Sequence, residues 1–191
     1  MDIIDSDRER KIISECKAGQ SEAFSQMYDL YVKKIYKFIF YKTFHTQTAE
    51  DLTSEVFYKA LKNIDKFDFK YKFSTWIYKI AQNAITDYFR TYKKTINIDD
   101  VWDLADDADL EKQVDDKINF NKIKKHLNQL TAIQRDIIIM RLWQDLSFDE
   151  ISEITGKSAE NCRVIFSRSI SSLRLKILLI VLLLLNISIN I

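Results

Sequence analysis

The chain of 191 residues contains no proline and only two glycines, Gly19 and Gly156. Sheet proteins rely on glycine and proline at their many tight turns, whereas long helices need neither residue. Apolar residues make up 47% of the sequence, which is enough for packed cores in one or two domains. We therefore predict an all-α fold.

Charged residues are unevenly distributed along the chain, although the formal net charge is only +1. Residues 1–98 carry a net charge of +4, residues 99–116 carry −8, and residues 117–191 carry +5. An acidic run of low hydrophobicity does not form a packed core. We therefore predict two small helical domains, over residues 1–98 and 117–176, joined by a flexible acidic linker over residues 99–116.

The most informative stretch reads LSFDEISEITGKSAENCRVIFSRSISSLR, from position 146 onward. Ser147 opens an S-x-x-E capping box, which predicts a short helix over residues 148–154. Gly156 stands where the chain must turn, and Ser158 is placed to cap a second helix over residues 159–173. A helix–turn–helix of this build lays its second helix in the DNA major groove. The residues expected to pack between the two helices are Phe148, Ile151, Ile154, Val164 and Ile165.

Helical periodicity predicts three long helices in the amino-terminal block. The first begins at the Gly19–Ser21 signal, the second follows Thr48 as its N-cap, and the third begins near Ser74 or Thr75. An aromatic, lysine-rich loop over residues 65–73 precedes the third helix. In the second helix, Leu52, Val56 and Leu61 are expected to face inward, and Asp51 and Glu55 outward.

One face of the third helix combines an aromatic ring with basic and polar side chains at steps of three or four residues. Exposed rings stack on nucleic-acid bases for ~1–3 kcal/mol per base, and neighbouring cations hold the phosphate backbone. On spacing alone two interpretations stay open, a nucleic-acid surface and an ordinary solvated face. The residues concerned are Trp76, Lys79, Asn83, Thr86 and Arg90.

Residues that carry enzymatic chemistry are sparse. Cys16 and Cys162 stand alone without metal-ligand spacing, and we interpret them as buried thiols of a reducing compartment. His45 and His126 are far apart, and the sequence has no glycine-rich phosphate loop. The first residues, MDIIDSDRERK, lack the apolar run of a secretory leader. We therefore expect a cytoplasmic protein that is not an enzyme and takes no cofactor or metal.

Three stretches together resemble one known family: AEDLTSEVFYKAL, FSTWIYKIAQNAITDYFR and the helix–turn–helix segment. They are similar to regions 2 and 4 of bacterial sigma-70 family factors of the small extracytoplasmic-function (ECF) kind. The resemblance covers residues 20–176, with no room for the extra region that primary factors carry between the two blocks. It implies a protein that binds core RNA polymerase, recognises −35 and −10 promoter elements and promotes transcription initiation. It also implies that an anti-sigma factor is a candidate partner.

The resemblance implies roles for individual residues. Core polymerase binding falls to the second predicted helix, through Asp51, Leu52, Glu55 and Phe57. Melting and holding the −10 element falls to the loop and the third helix, through Lys70, Lys72, Trp76, Lys79, Asn83 and Arg90. Reading the −35 duplex falls to the last helix, through Ser158, Glu160, Asn161, Arg163, Ser167 and Arg168. Ser54 departs from the glutamine usual in the family, so Leu52, Glu55 and Phe57 are given more weight in polymerase binding. Thr131 replaces a customary proline at a helix start. The Asn161–Cys162 pair replaces the usual Thr-Val, so the family's base preference is not carried over.

An alternative function is a stand-alone helix–turn–helix transcriptional regulator, which leaves the basic–aromatic face unexplained. The apolar tail over residues 177–191 has no counterpart in the family pattern. Its run of nine aliphatic residues is shorter than the ~20 residues that a spanning helix needs. Three interpretations of the tail stay open: a shallow membrane anchor, a segment that docks on a partner or on the protein's own core, and an accidental extension.

Overall fold

The structure of the chain is a computed structural model, and it describes residues 6–95, 126–127 and 129–189. For residues 92–95 and 175–189 it describes the backbone alone. All regular elements in these ranges are helices, which confirms the predicted all-α fold. The described residues form two compact units, one amino-terminal and one carboxy-terminal, and each is described by itself. The predicted linker, residues 99–116, lies outside the described residues.

Four α-helices build the amino-terminal unit: α1 (Ser6–Lys17), α2 (Ser21–Thr43), α3 (Thr46–Asn63) and α4 (Phe73–Thr95). A short 3-10 turn, Ile64–Lys66, follows α3. Aromatic rings join α2 to α4, with centroid distances of 5.3 Å for Tyr31–Phe73 and 5.2 Å for Phe38–Tyr78. Buried rings of this size dominate core energetics, so α2 and α4 are held together mainly by apolar burial.

Three details of this unit differ from the sequence prediction. α3 begins at Thr46, and its cap is His45, whose Nδ1 accepts a hydrogen bond from the Thr48 N–H at 3.1 Å. Thr48 therefore lies inside the helix. Leu61 is 47% exposed, because five residues separate it from buried Val56 and turn it about 140° around the helix. α1 was not predicted, although Ile12, Ile13 and Cys16 form a buried face at helical spacing.

In the described part of the carboxy-terminal unit, the chain forms α5 (Ala132–Leu142), α6 (Phe148–Thr155) and α7 (Ala159–Ile189). Ser147 Oγ accepts from the Glu150 N–H at 3.2 Å, and Glu150 Oε2 accepts from the Ser147 N–H at 2.8 Å, which confirms the capping box. Gly156 ends α6 at φ 71°, a left-handed conformation that glycine adopts without strain. The Asn161 N–H donates to Ser158 Oγ at 3.2 Å, as a cap of α7 requires.

The core of the carboxy-terminal unit is aliphatic, with Ile137, Ile139, Ile151 and Cys162 all 0% exposed. Val164 is 41% exposed, so its predicted packing role is wrong. It lies two residues beyond Cys162, which turns its side chain about 200° away from the buried face. None of the helices in the described ranges is long and apolar enough to span a bilayer.

Arg135 is a buried cation at the start of this unit. Its Nε donates to the Leu127 carbonyl at 3.1 Å, and its Nη2 donates to the Leu130 carbonyl at 3.4 Å. Burial lowers the pKa of the Arg135 guanidinium, and the neighbouring Asp136 carboxylate opposes that shift. The side chain thereby fixes the turn that leads into α5. Gln134 Oε1 also accepts from the Thr131 N–H at 3.0 Å, which anchors that helix start.

Candidate nucleic-acid and protein interfaces

The outer face of α3 combines carboxylates with exposed apolar side chains. Asp51 accepts from Gln47 Nε2 at 3.0 Å, and Glu55 pairs with Lys59 at 2.5 Å. One turn further along, Tyr58 is 64% exposed and Leu61 is exposed beside it. Large apolar groups in contact with water, next to acidic ones, are typical of a protein-binding surface. Tyr58 and Leu61 were not predicted as binding residues, although their angular offset from the buried positions around the α3 axis could have revealed them.

Leu52 and Phe57, two of the residues assigned to polymerase binding, lie in the core of the unit rather than on its surface. Leu52 is 6% exposed and Phe57 is 3% exposed. The Phe57 ring lies 4.6 Å from the ring of Tyr28 on α2. A side chain this buried acts on a partner only by holding its helix in place, so both residues are corrected to supporting positions.

The segment Phe67–Lys72, which we call the aromatic loop, leads from the 3-10 turn to α4. Phe67 is buried, and its ring centroid lies 5.2 Å from Phe69, 5.4 Å from Phe73 and 5.5 Å from Trp76. Lys70, Tyr71 and Lys72 are exposed. The loop thus projects one ring and two cations from a firmly packed aromatic base.

Beyond the aromatic loop, the face of α4 continues with exposed polar side chains. Lys79, Asn83 and Arg90 are exposed, and Arg90 pairs with Asp87 at 3.0 Å. Trp76 is half-buried against Phe67 and Phe73, so part of its ring is already used in packing. The exposed ring nearest to these cations in sequence is Tyr71, which the analysis of spacing did not select.

The first half of α7 presents a polar surface. Its buried side is formed by Cys162 and Ser169, and the Ser169 hydroxyl donates to the Ile165 carbonyl at 2.8 Å. The Arg163 guanidinium carbon lies 5.2 Å from the centroid of the Phe148 ring, and that of Arg141 lies 5.5 Å from it. All the residues assigned to duplex reading are exposed: Ser158, Glu160, Asn161, Arg163, Ser167 and Arg168.

In the described part of the chain, His, Cys, Asp and Glu form no cluster able to hold a metal ion. Burial, followed by the charge of Glu15, raises the pKa of the Cys16 thiol. The surfaces are those of a binding protein: a helix–turn–helix with an exposed reading helix, and a helical unit with a basic–aromatic face. The molecule is therefore of the helical DNA-binding class.

Comparison with known proteins gives the family. Residues 27–95 match the model "Sigma-70 region 2", and residues 120–173 match "Sigma-70, region 4". The chain is 31% identical over 156 residues to the ECF RNA polymerase sigma factor SigW of Bacillus subtilis, covering 76% of this chain and 83% of SigW. The chain belongs to the ECF sigma factors of the sigma-70 family.

Other relatives agree with this assignment. The ECF RNA polymerase sigma factor BldN of Streptomyces coelicolor is 27% identical over 174 residues, covering 88% of this chain and 66% of BldN. Two solved structures share the fold. CnrH, in complex with the cytosolic domain of CnrY, superposes with a TM-score of 0.71 at 16% identity, over 88% of this chain and 96% of CnrH. The sigma factor RpoE of Bartonella quintana, in complex with the anti-sigma factor NepR, gives 0.65 at 22% identity, over 79% and 94%.

Membership of this family confirms the expected function. The chain is a promoter-specific initiation factor that binds core RNA polymerase, and it is not an enzyme. None of these comparisons supports the alternative of a stand-alone regulator.

Proposed function

We propose that this sigma factor divides promoter recognition between its two units. The amino-terminal unit binds core polymerase through α3 and holds the melted −10 strand on the aromatic loop and α4. The carboxy-terminal unit reads the −35 duplex with α7. The observation that carries the proposal is the exposure of a basic–aromatic face on one unit and of a polar reading helix on the other.

Polymerase binding is assigned to the outer face of α3. Asp51 and Glu55 supply charge for a basic partner helix, and Tyr58 and Leu61 add apolar area next to them. Exposed aromatic residues are frequent sources of binding energy at protein interfaces. Leu52 and Phe57 support that face from below. Since surface ion pairs alone are worth only ~0–1 kcal/mol, most of the affinity is expected from Tyr58 and Leu61.

Strand capture is assigned to the exposed groups of the aromatic loop and α4. Lys70, Lys72 and Lys79 hold phosphates, Tyr71 and the exposed part of Trp76 stack on unpaired bases, and Asn83 hydrogen-bonds to a base edge. Arg90 forms an ion pair with Asp87 in the free protein, so it must leave that carboxylate before it binds a phosphate. Melting therefore proceeds by capture of bases that have already left the duplex, and no covalent bond is made or broken.

Duplex reading is assigned to the exposed residues of α7. Arg163 and Asn161 are suited to bidentate contacts with guanine and adenine, worth ~1–3 kcal/mol of discrimination each. Arg168 contacts phosphate, and Ser158, Glu160 and Ser167 flank these side chains. The linker over residues 99–116 tethers the two DNA-binding units, so binding of one unit raises the effective concentration of the other at its own site.

Two further points follow from the relatives. CnrH was solved in complex with the cytosolic domain of CnrY, and RpoE with the anti-sigma factor NepR, so an anti-sigma protein is proposed as a regulator of this chain also. The sigma factor itself acts where RNA polymerase is found, in the cytoplasm.

For the tail over residues 177–191 we propose docking on a protein surface rather than anchoring in a membrane. Fractionation of the full chain against one ending at Lys176 tests this, and membrane recovery of the full chain alone would contradict it.

The decisive experiment is run-off transcription by core polymerase from a DNA library with a randomised 50-base-pair upstream segment. We expect transcripts that depend on this protein and come from templates sharing two short motifs, about two helical turns apart. A variant with Asp51→Lys and Leu61→Ala, both on the exposed face of α3, should lose transcription and polymerase co-purification together. Transcripts equally frequent with and without the protein would refute the proposal.

A further inference from the structure

We propose that Lys17 of α1 is a positioning residue that holds the aromatic loop in the shape that captures melted DNA. This inference rests on the function proposed for that loop. The match to the region 2 model begins at residue 27, so α1 (Ser6–Lys17) lies outside the segment that this model matches. α1 would thus contribute to binding of the −10 strand, in addition to packing against the core.

The first observation is a long-range hydrogen bond. Lys17 Nζ donates to the Phe67 carbonyl at 2.8 Å, in a part-buried position and across 50 residues of sequence. Two other hydrogen bonds of the loop are local. The Tyr71 N–H donates to the Asp68 carbonyl at 3.1 Å, and the Lys70 N–H donates to Asp68 Oδ1 at 2.9 Å. Local bonds close the turn, whereas the Lys17 bond fixes that turn relative to another helix.

The second observation is a pair of cations around one ring. The Arg10 guanidinium carbon lies 5.1 Å from the centroid of Phe69, and Lys17 Nζ lies 5.4 Å from it. Phe69 packs against Phe67, and Phe67 packs against Trp76 on α4. Lys17 therefore contacts both the main chain and a side chain of the loop, and its contacts continue to the surface proposed to bind DNA.

The third observation is a recess of about 190 Å³ between α1 and the aromatic loop. Glu9, Arg10 and Ile13 of α1 form one wall, and residues of the loop form the other. Movement of the loop away from α1 would open this recess and shift the exposed Tyr71. Holding a binding loop in its bound shape lowers the ordering cost of binding. Loss of Lys17 should therefore weaken strand capture without weakening polymerase binding.

The test compares three variants of the full chain: Lys17→Met, Lys17→Arg and Lys11→Met. Methionine keeps the aliphatic length but cannot donate, and arginine restores both the donor and the cation. Lys11 is the matched control, because it lies on the same helix with its side chain 77% exposed, 3.9 Å from Glu15. Trypsin cleavage after Lys70 and Lys72, followed by mass spectrometry, measures loop release in each variant.

We expect Lys17→Met to speed loop cleavage about tenfold, as loss of a charge-assisted hydrogen bond permits. In holoenzyme, it should weaken binding of the non-template oligonucleotide of the library-selected promoter by a similar factor. Polymerase affinity should be unchanged, Lys17→Arg should restore both losses, and Lys11→Met should behave as wild type. Equal cleavage in Lys17→Met and wild type, or equal losses in Lys17→Met and Lys11→Met, would overturn the inference. If instead no promoter is selected, the proposed function fails, while cleavage still reports on the Lys17 contact.

Discussion

At the scale of single residues, several polar and ionisable side chains lie next to the ends of helices. Cys16 lies at the end of α1, on its buried face, and Arg135 fixes the turn before α5. His45 uses a ring nitrogen to cap α3, an uncommon choice that the sequence alone does not favour over Thr48. Ser147 is the opposite case, because its capping box is readable from spacing and is present in the structure.

Cys16 should be a slow nucleophile in the folded protein. Burial raises the pKa of its thiol, so at pH 8 a smaller fraction is thiolate than in the unfolded chain, where the pKa is ordinary. We expect iodoacetamide to modify Cys16 at least tenfold more slowly in native buffer than in 6 M guanidinium chloride. Peptide mass spectrometry over time measures this, and equal rates in the two buffers would show that the thiol is accessible and ionised.

Ser147→Ala should destabilise the carboxy-terminal unit by ~1 kcal/mol, because it removes the acceptor for the Glu150 N–H. Urea unfolding followed by circular dichroism provides the measurement. Ser171→Ala is the matched control, since it is an exposed serine inside α7, where alanine is the better helix former. A loss of equal size in both variants would mean that the cap contributes nothing of its own.

Among the elements, α7 carries the surface proposed to read DNA, and contacts with the first residue of α6 orient one of its side chains. The ring of Phe148, the first residue of α6, lies within 5.5 Å of two guanidinium groups, those of Arg141 and Arg163, and against Phe166 at 5.7 Å. Arg163 is thus oriented by a ring on the neighbouring helix. This arrangement is not visible in the sequence, because it joins positions on three different helices.

Phe148→Leu should weaken binding of the −35 duplex severalfold while leaving the fold intact. Leucine fills most of the volume, but it offers no ring face to the Arg163 cation, an interaction worth ~0.5–1 kcal/mol at exposed sites. Fluorescence anisotropy with the library-selected −35 duplex measures the effect. Phe166→Leu serves as the control, since Phe166 contacts the same ring and lies near neither guanidinium in the described contacts. A larger loss in Phe166→Leu would assign the effect to packing.

The elements also show how far the sequence could be read. Capping chemistry located α6 and the start of α7, because those signals are local in sequence. Burial on α3 was predicted wrongly at Leu61, although its offset of about 140° from Val56 around the helix can be derived from the sequence. α1 escaped prediction because its apolar face is short and interrupted by charge. The aromatic loop's attachment to it, through Lys17, has no sequence signature at all.

At the scale of the whole molecule, two units must act on one polymerase. Residues 99–116 join them and carry a net charge of −8, between blocks of +4 and +5. Two linked binding units gain affinity from a tether in proportion to the effective concentration it imposes. The length of this segment should therefore affect polymerase affinity even where no residue of the segment makes a contact.

Doubling the linker by inserting 18 Gly/Ser residues should weaken binding to core polymerase by about threefold, since effective concentration falls roughly as the −3/2 power of length. Titration of labelled protein against core polymerase measures the change. Insertion of the same segment after residue 176 is the control, because it leaves the distance between the units unchanged. A loss far above threefold would indicate direct contacts of the acidic residues with the enzyme.

The continuity of α7 has a mechanical consequence. Its 31 residues form one uninterrupted helix about 46 Å long, with the end proposed to read bases at Ala159 and the aliphatic segment at the far end. A partner bound at the far end of α7 is therefore placed to change the angle at which the near end enters the DNA major groove. If a partner bound to the far end changes the affinity of α7 for DNA, DNA binding changes the affinity for that partner by an equal free energy. A protein bound to the tail would in this way inhibit promoter binding without covering any side chain proposed to contact DNA.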